Sequence, residues 1–382
     1  GNTEYEYTPG PARSYRIVMS LPKGFLISGK HCGIKKKGLD LGLIYTKDYS
    51  QAFGVFTTNL NPSYSVTSCK KNINNPIKAV LVNSGNANCH SHKQGLKDTE
   101  NIISKLAGSL KVKKSNILFC STGIIGERLP KHKLVKGFPG LIKALGTKTK
   151  DFSQSILTTD TFAKVSQAKV SLGKKSATIL GFAKGAGMIY PNMATMLGFI
   201  LTDAGISKSD FKKISHQAIE ESFNSISVDG CTSTNDTVLF LSSKRIALKT
   251  KKEIDLFSEK VKGVCLNLAK LIIKDAEGAT KFVQITVNGA KTKSEAKKAG
   301  MALANSNLFK CALYGQSSNW GRIVSSLGQA GINLNEDILI KSTNLKKKNI
   351  KISLDLKRGK SSWTVYTSDL TPKYVKINAE YI

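Results

Sequence analysis

Lys184-Gly185-Ala186-Gly187-Met188-Ile189-Tyr190-Pro191-Asn192-Met193-Ala194-Thr195-Met196-Leu197-Gly198 is the stretch on which the reading turns. Before it, residues 178–183 have the short apolar, β-branched character of a buried strand; after it, residues 196–201 have the same character. Glycines flanking a small residue let the backbone approach a ligand closely, and Pro191-Asn192 turns the chain toward a threonine. Thr195 reads in two ways. It is either a β-prone residue opening a core strand, or a nucleophile exposed by cleavage of the Ala194–Thr195 bond. In the second case its own α-amine, with a pKa of about 7.7 to 8.0, serves as the base. The chain has five histidines, none in a Ser/His/Asp pattern, so a threonine that brings its own base fits the inventory.

Working outward, β-like runs recur at 77–82, 116–120, 237–241, 350–356, 362–367 and 374–379. Several end in small-residue turns, among them Asn83-Ser84-Gly85-Asn86-Ala87-Asn88 and Ser121-Thr122-Gly123. Ser207, with Asp210 three residues on, reads as a helix start; Phe211, Ile214, Ala218 and Ile219 then share a face. A second helix over 258–275 places Val261, Val264, Leu268, Leu271 and Ile272 on one stripe. Strands and helices mix without strict βαβ alternation. The expected fold is therefore α+β, sheets packed with helices in mixed α/β layers, as one unit with two lobes.

With 382 residues and 40% hydrophobic content, the chain is long enough for a large core, and no apolar run reaches membrane-spanning length. The formal net charge of +32 raises the question of nucleic acid. However, only six of the 58 basic residues are arginine, and the lysines are dispersed in short runs such as Lys35-Lys36-Lys37 and Lys346-Lys347-Lys348. Phosphate readers favour arginine and interleave aromatics on one face. A solvated lysine surface that attracts small anions is the better reading, with neither a nucleic acid nor a membrane as partner. The seven cysteines are scattered and form no CxxC pair, which favours a reducing compartment. Residues 1–16 lack an apolar signal core, so the expected location is the cytoplasm, or an organelle matrix for a processed eukaryotic chain.

Other segments could carry chemistry. Thr122 and Gly123 at a strand end can offer a hydroxyl and a backbone N–H to an oxyanion, or form a plain turn. Asp229-Gly230-Cys231-Thr232-Ser233-Thr234-Asn235-Asp236 is either a turn cluster or the wall of a polar pocket. Glu277 could hold an ammonium or be a helix-end acid. Cys89, His90 and His92 are metal-capable, but no second cluster completes a tetrahedral site.

Taken together, these segments resemble the ornithine acetyltransferase (glutamate N-acetyltransferase) family of the cyclic arginine pathway. The matching pieces are residues 83–88, 121–126, Thr158-Thr159-Asp160-Thr161, 184–195, 229–236, Glu277-Gly278-Ala279-Thr280, Asn319-Trp320-Gly321-Arg322 and Asn378-Ala379-Glu380-Tyr381. They fall in the family's order over nearly the whole chain. The resemblance implies self-cleavage between Ala194 and Thr195. It gives an α segment 1–194 and a β segment 195–382 that fold together and assemble as α2β2. The implied fold is similar to that of N-terminal-nucleophile hydrolases, with different connectivity. Thr195 is implied as nucleophile, Thr122 and Gly123 as the oxyanion hole, and Thr161, Lys184, Thr195, Glu277 and Asn378 as substrate-binding residues. The implied reaction moves acetyl from N2-acetyl-L-ornithine to L-glutamate through acetyl-Thr195, without metal or organic cofactor; some members also take acetyl-CoA as donor. Two departures stand out. Cys231 replaces a frequent aspartate, and the chain stops at Ile382, where the family continues to a substrate-contacting Ser or Thr. The competing readings are a threonine-nucleophile aminopeptidase or amidase, and a basic nucleic-acid-binding protein without catalysis.

Overall fold

The computed structural model describes residues 19–91, 94–173, 175–190, 196–334 and 338–380. In chain order, the first half contributes β1 (Phe25–Lys30), β2 (Leu41–Phe56), α1 (Tyr64–Asn72), β3 (Ile77–Asn86), α2 (Gln94–Leu110), β4 (Ile117–Ile124), α3 (Lys131–Lys143), α4 (Lys150–Ser155), β5 (Lys164–Leu172) and β6 (Lys175–Lys184). Next come β7 (Leu197–Gly205), α5 (Lys208–Glu220), β8 (Thr237–Ala247) and α6 (Lys251–Lys274). The last third supplies β9 (Phe282–Ala290), α7 (Lys293–Ala304), α8 (Asn307–Tyr314), α9 (Gly321–Gln329), β10 (Leu339–Ser342), β11 (Asn349–Asp355), β12 (Ser361–Ser368) and α10 (Pro372–Ala379).

The strands form two sheets. The larger runs β4-β3-β2-β8-β7-β6-β5, with β1 also on β2; the smaller runs β10-β11-β9-β12. Both are mixed: β3/β4, β7/β8 and β9/β11 are parallel and the remaining pairs antiparallel. The long β2 joins the larger sheet's halves, because residues 41–50 pair with β3 and residues 51–56 with β8. The expected α+β class with two lobes corresponds to these two sheets and their helices.

The run after Thr195 becomes β7, and its sequence explains its depth. Ile200 and Ala204 face the core shared with Phe211, Val264 and Leu268 of α5 and α6. Leu197, Phe199 and Leu201 alternate to the opposite core, where Phe152 of α4 sits edge-on to Phe182 and Phe199 at 5.1 and 5.8 Å. A strand covered on both faces reads as continuous apolar sequence. Because β7 lies between β6 and β8, the chain before residue 194 and the chain after it share one sheet.

Two elements differ from expectation. The helix expected over 258–275 starts earlier, at Lys251, because Thr250 and Glu253 form a reciprocal capping box. Residues 374–379 are not a strand but the body of α10. Thr371 caps Tyr374 N–H and Pro372 occupies the first turn, where its missing N–H costs nothing.

Candidate active site

The parallel strands β3 and β4 end together, and their ends define one wall of a cleft. Ser84 pairs with Thr122 and Gly85 with Gly123. Gly85 and Gly123 have φ of +99° and +134°. A Cβ on Gly123 would come within 2.8 Å of Gly85 Cα and closer still to the Gly85 carbonyl carbon, so the approach of the strand ends requires glycine. Asn235 fastens this wall, its Nδ2 donating to the carbonyls of Ala87 and Ser121 at 2.6 and 2.8 Å.

Lys184 enters at the end of β6, only 3% exposed. Its ammonium donates to Thr158 Oγ1 at 2.7 Å and to Thr122 Oγ1 at 3.3 Å, and lies 3.8 Å from Asp160. Burial lowers the Lys184 pKa, and Asp160 opposes that shift. Asp160 also accepts Gly185 N–H and the Lys164 ammonium, both at 2.7 Å. Burial pushes the Asp160 carboxyl up, but Lys184 and Lys164 overcome it and hold the pKa at about 2. Lys164, itself buried, reaches Asp275 Oδ2 at 2.5 Å. Two carboxylates and two ammonium groups thus form a neutral chain from the cleft to the end of α6.

The opposite wall carries Glu277, just beyond α6, whose amide donates to Ala186 O at 2.9 Å. Its carboxylate packs over Gly187, where a Cβ would collide with it, and accepts Asn378 Nδ2 at 3.0 Å. The lining is Thr122, Gly123, Ile125, Thr158, Thr159, Lys184, Gly187, Met188, Ser233, Asn235, Glu277 and Asn378. Residues as far apart in the chain as Thr122 and Asn378 therefore meet in one cleft.

Of the expected site residues, Thr122, Gly123, Lys184, Glu277 and Asn378 come together in this lining. Thr161 is not part of it. Its hydroxyl and amide are both committed to Asp275, and the hydroxyl that faces Lys184 belongs to Thr158. Ala194 and Thr195 lie outside the described residues. The segment 229–236 is at once turn and wall: Asp229 accepts Met188 N–H and Ile189 N–H at 2.6 and 2.9 Å, while Ser233 and Asn235 face the cleft. Cys231 is exposed, its amide 3.2 Å from Asp229 Oδ1. At the segment's end, fully buried Asp236 holds Met196 N–H at 2.9 Å through Oδ1, while Oδ2 has no hydrogen-bond partner among the described residues. Burial raises its pKa well above the carboxylate range, with Met196 N–H and Lys184 pulling the other way. Asp160, Lys164, Asp275 and Asp236 add buried charges that nothing in a single sequence marks as buried. Among the described residues, no group of three or more His, Cys, Asp or Glu side chains is placed to hold a metal, and no helix is long and apolar enough to cross a membrane.

A threonine hydroxyl beside a glycine N–H, a buried ammonium, and an acid–amide pair facing them across one cleft equip an enzyme that handles the acyl group of an amino-acid derivative. The sequence comparisons narrow that class: the ArgJ family model matches residues 26–344 and 335–382. The chain belongs to the ArgJ family, acyltransferases of arginine biosynthesis. It is 38% identical to the arginine biosynthesis bifunctional protein ArgJ of Caldanaerobacter subterraneus subsp. tengcongensis, over 95% of this chain and 98% of that one. It is 39% identical to the protein of the same name from Geobacter sulfurreducens, over 94% and 99%. Among solved structures, a chain of the ArgJ protein of Bacillus halodurans is 32% identical, with TM-score 0.43, covering 46% of this chain and 97% of that one. Ornithine acetyltransferase from Mycobacterium tuberculosis, complexed with ornithine, is 29% identical with TM-score 0.39, covering 44% and 92%.

Proposed function

We propose that this enzyme transfers the acetyl group of N2-acetyl-L-ornithine to L-glutamate through an ester on Thr195, after cutting its own chain between Ala194 and Thr195. The observation that carries this reading is the meeting of Thr122, Gly123, Lys184, Glu277 and Asn378 in one cleft. In maturation, Thr195 Oγ attacks the Ala194 carbonyl and the amide becomes an ester. Water then hydrolyses the ester, leaving an Ala194 carboxylate and a Thr195 α-amine. In turnover, that amine takes the hydroxyl proton as Oγ adds to the acetamide carbonyl. Thr122 and the Gly123 N–H stabilise the oxyanion, and the proton passes to the departing ornithine amine. The α-amine of glutamate then attacks the acetyl ester, Thr195 Oγ leaves, and the proton returns to it.

The environment supports these roles. Lys184 adds positive charge beside Thr122, where negative charge develops, and its low exposure strengthens that effect. Glu277 supplies the negative charge that the donor's free ammonium needs. Because β7 sits between β6 and β8, both products of cleavage would remain bound in one sheet, consistent with an α2β2 assembly.

The test is the denatured mass of the parent beside Thr195→Ala, followed by transfer assays. Two fragments meeting at 194/195 in the parent, one 41.4 kDa chain in the variant, and ping-pong kinetics that require glutamate are expected. An intact parent chain that still transfers acetyl would overturn the threonine mechanism. Full-rate acetylornithine breakdown without glutamate would make the protein a hydrolase instead.

A further inference from the structure

A single cleft that serves both substrates faces a charge problem: the donor's side chain ends in an ammonium and the acceptor's in a carboxylate. Glu277 answers the first. Lys184 is poorly suited to answer the second, because its ammonium is already directed at Thr158 and Thr122 and its charge is balanced by Asp160.

Lys35 stands beside the cleft, next to the residues that line it, though not itself part of the lining. In the run Lys35-Lys36-Lys37 the last two side chains are exposed, whereas Lys35 is half-buried. Its ammonium donates to Leu157 O at 3.0 Å, the residue just before cleft-lining Thr158, and among the described residues it has no other hydrogen-bond partner for its three N–H donors. Its stem crosses Gly85, where an added Cβ would lie 2.8 Å from Lys35 Cγ. Gly85 is also the backbone on which Gly123 rests, so Lys35 borders the oxyanion wall. The loop that carries it is firmly held. The fully buried Asp40 carboxylate accepts the amides of Cys32, Gly33, Ile34 and Lys35 at 2.6, 3.1, 2.7 and 3.0 Å. Burial lowers the Lys35 pKa; Asp40 and Asp160 oppose the shift and Lys184 adds to it.

We propose that Lys35 selects the acidic acceptor, its ammonium receiving the side-chain carboxylate of the incoming amino acid. This rests on the two-substrate reading given above. No bond is made or broken at Lys35; it binds and orients.

The test uses the full chain with Lys35→Met and Lys35→Arg, and glutamate and glutamine as rival acceptors. Lys35→Met should lower kcat/KM for glutamate at least about tenfold. The loss should be concentrated in the glutamate KM rather than in that of N2-acetylornithine. The preference for glutamate over glutamine should fall by a similar factor, and Lys35→Arg should restore part of both. An unchanged glutamate KM, or an unchanged acceptor preference, in a Lys35→Met protein with parental melting temperature overturns the assignment. Glutamate binding to Thr195→Ala, with and without Lys35→Met, decides the same point without turnover. Equal affinities in that pair would sink the Lys35 assignment even if transfer is established. If the parent lacks transfer activity, the reading of the reaction fails, while a weaker affinity in the double variant still supports Lys35 as the carboxylate's partner.

Discussion

Substituting Gly123 by alanine tests whether the approach of β3 and β4 creates the oxyanion site. A Cβ at position 123 would fall under 3.0 Å from Gly85 Cα, Gly85 carbonyl carbon and Asn86 nitrogen, all backbone atoms that cannot rotate away. Relief requires the strand ends to part by about 1 Å, a misplacement that costs on the order of 100-fold in rate at a reacting centre. Losing one oxyanion donor costs about 100- to 1,000-fold. The expected result is therefore a fall of roughly 100-fold or more in kcat, about 2.7 kcal/mol of transition-state stabilisation. The backbone also contributes strain, since φ is +134° at this residue, worth about 1 to 3 kcal/mol of stability. Gly126→Ala separates the two effects. Gly126 has φ of +92°, but an added Cβ there meets nothing within 4 Å. Steady-state acetyl transfer and thermal melts on both variants are the assay. Gly126→Ala should lose stability and keep most activity, whereas Gly123→Ala should lose both. Gly123→Ala within threefold of parental kcat, or equal losses in the two variants, would refute the argument.

Four further outcomes follow from the buried charges and their partners. Thr158→Val, which removes the hydroxyl nearest Lys184, should lower kcat/KM about tenfold or more. Thr161→Val should instead cost about 1 to 3 kcal/mol of stability with a smaller kinetic effect, because its partner is Asp275; equal kinetic losses would refute the distinction. Asp236 has a raised folded-state pKa, so its contribution to stability is present below the unfolded pKa and is lost as pH rises through the folded value. Asp236→Asn should therefore melt higher than the parent at pH 8 and close to it at pH 4; a lower melting temperature at pH 8 would contradict this. Asp160 behaves in the opposite sense, its folded pKa of about 2 lying below the ordinary aspartate range. The stability its ion pairs contribute should be present above pH 4 and fade toward pH 2. The difference in unfolding free energy between parent and Asp160→Asn should shrink over that window, and a difference independent of pH would count against the ion-pair account.

The strands were legible where burial imposes composition. β7 reads plainly from its apolar run at 197–201, because covering both faces favours apolar side chains along most of the strand. α10 did not. Tyr374, Val375, Lys376 and Ile377 suggest β propensity, and the decisive information is the Thr371-Pro372 start, a capping signal that outweighs the side chains behind it. The site divides along similar lines. Thr122, Gly123, Lys184, Glu277 and Asn378 each belong to a short motif, but their meeting depends on crossovers that spacing does not encode; the family resemblance supplied it. Thr158 and Thr161 sit in the same four-residue motif, and only the turn geometry decides which hydroxyl faces Lys184. Lys35 and Lys164 were hidden for a different reason. In a chain this rich in lysine, nothing local distinguishes an ammonium that turns inward from its solvated neighbours.

The position of β7 bears on the order of events in the cell. Without β7, strand β6 would present an unpaired edge; without β6 and β2, the β7/β8 pair would present two. Exposed edges of buried, apolar strands are templates for aggregation. A cut made before the sheet closes would release two fragments, each inclined to aggregate. On the self-cleavage reading, scission must therefore wait for the sheet. Expressing the two segments separately should then give inclusion bodies, whereas the appearance of cut chain after synthesis of the whole would report completed folding rather than the rate of translation.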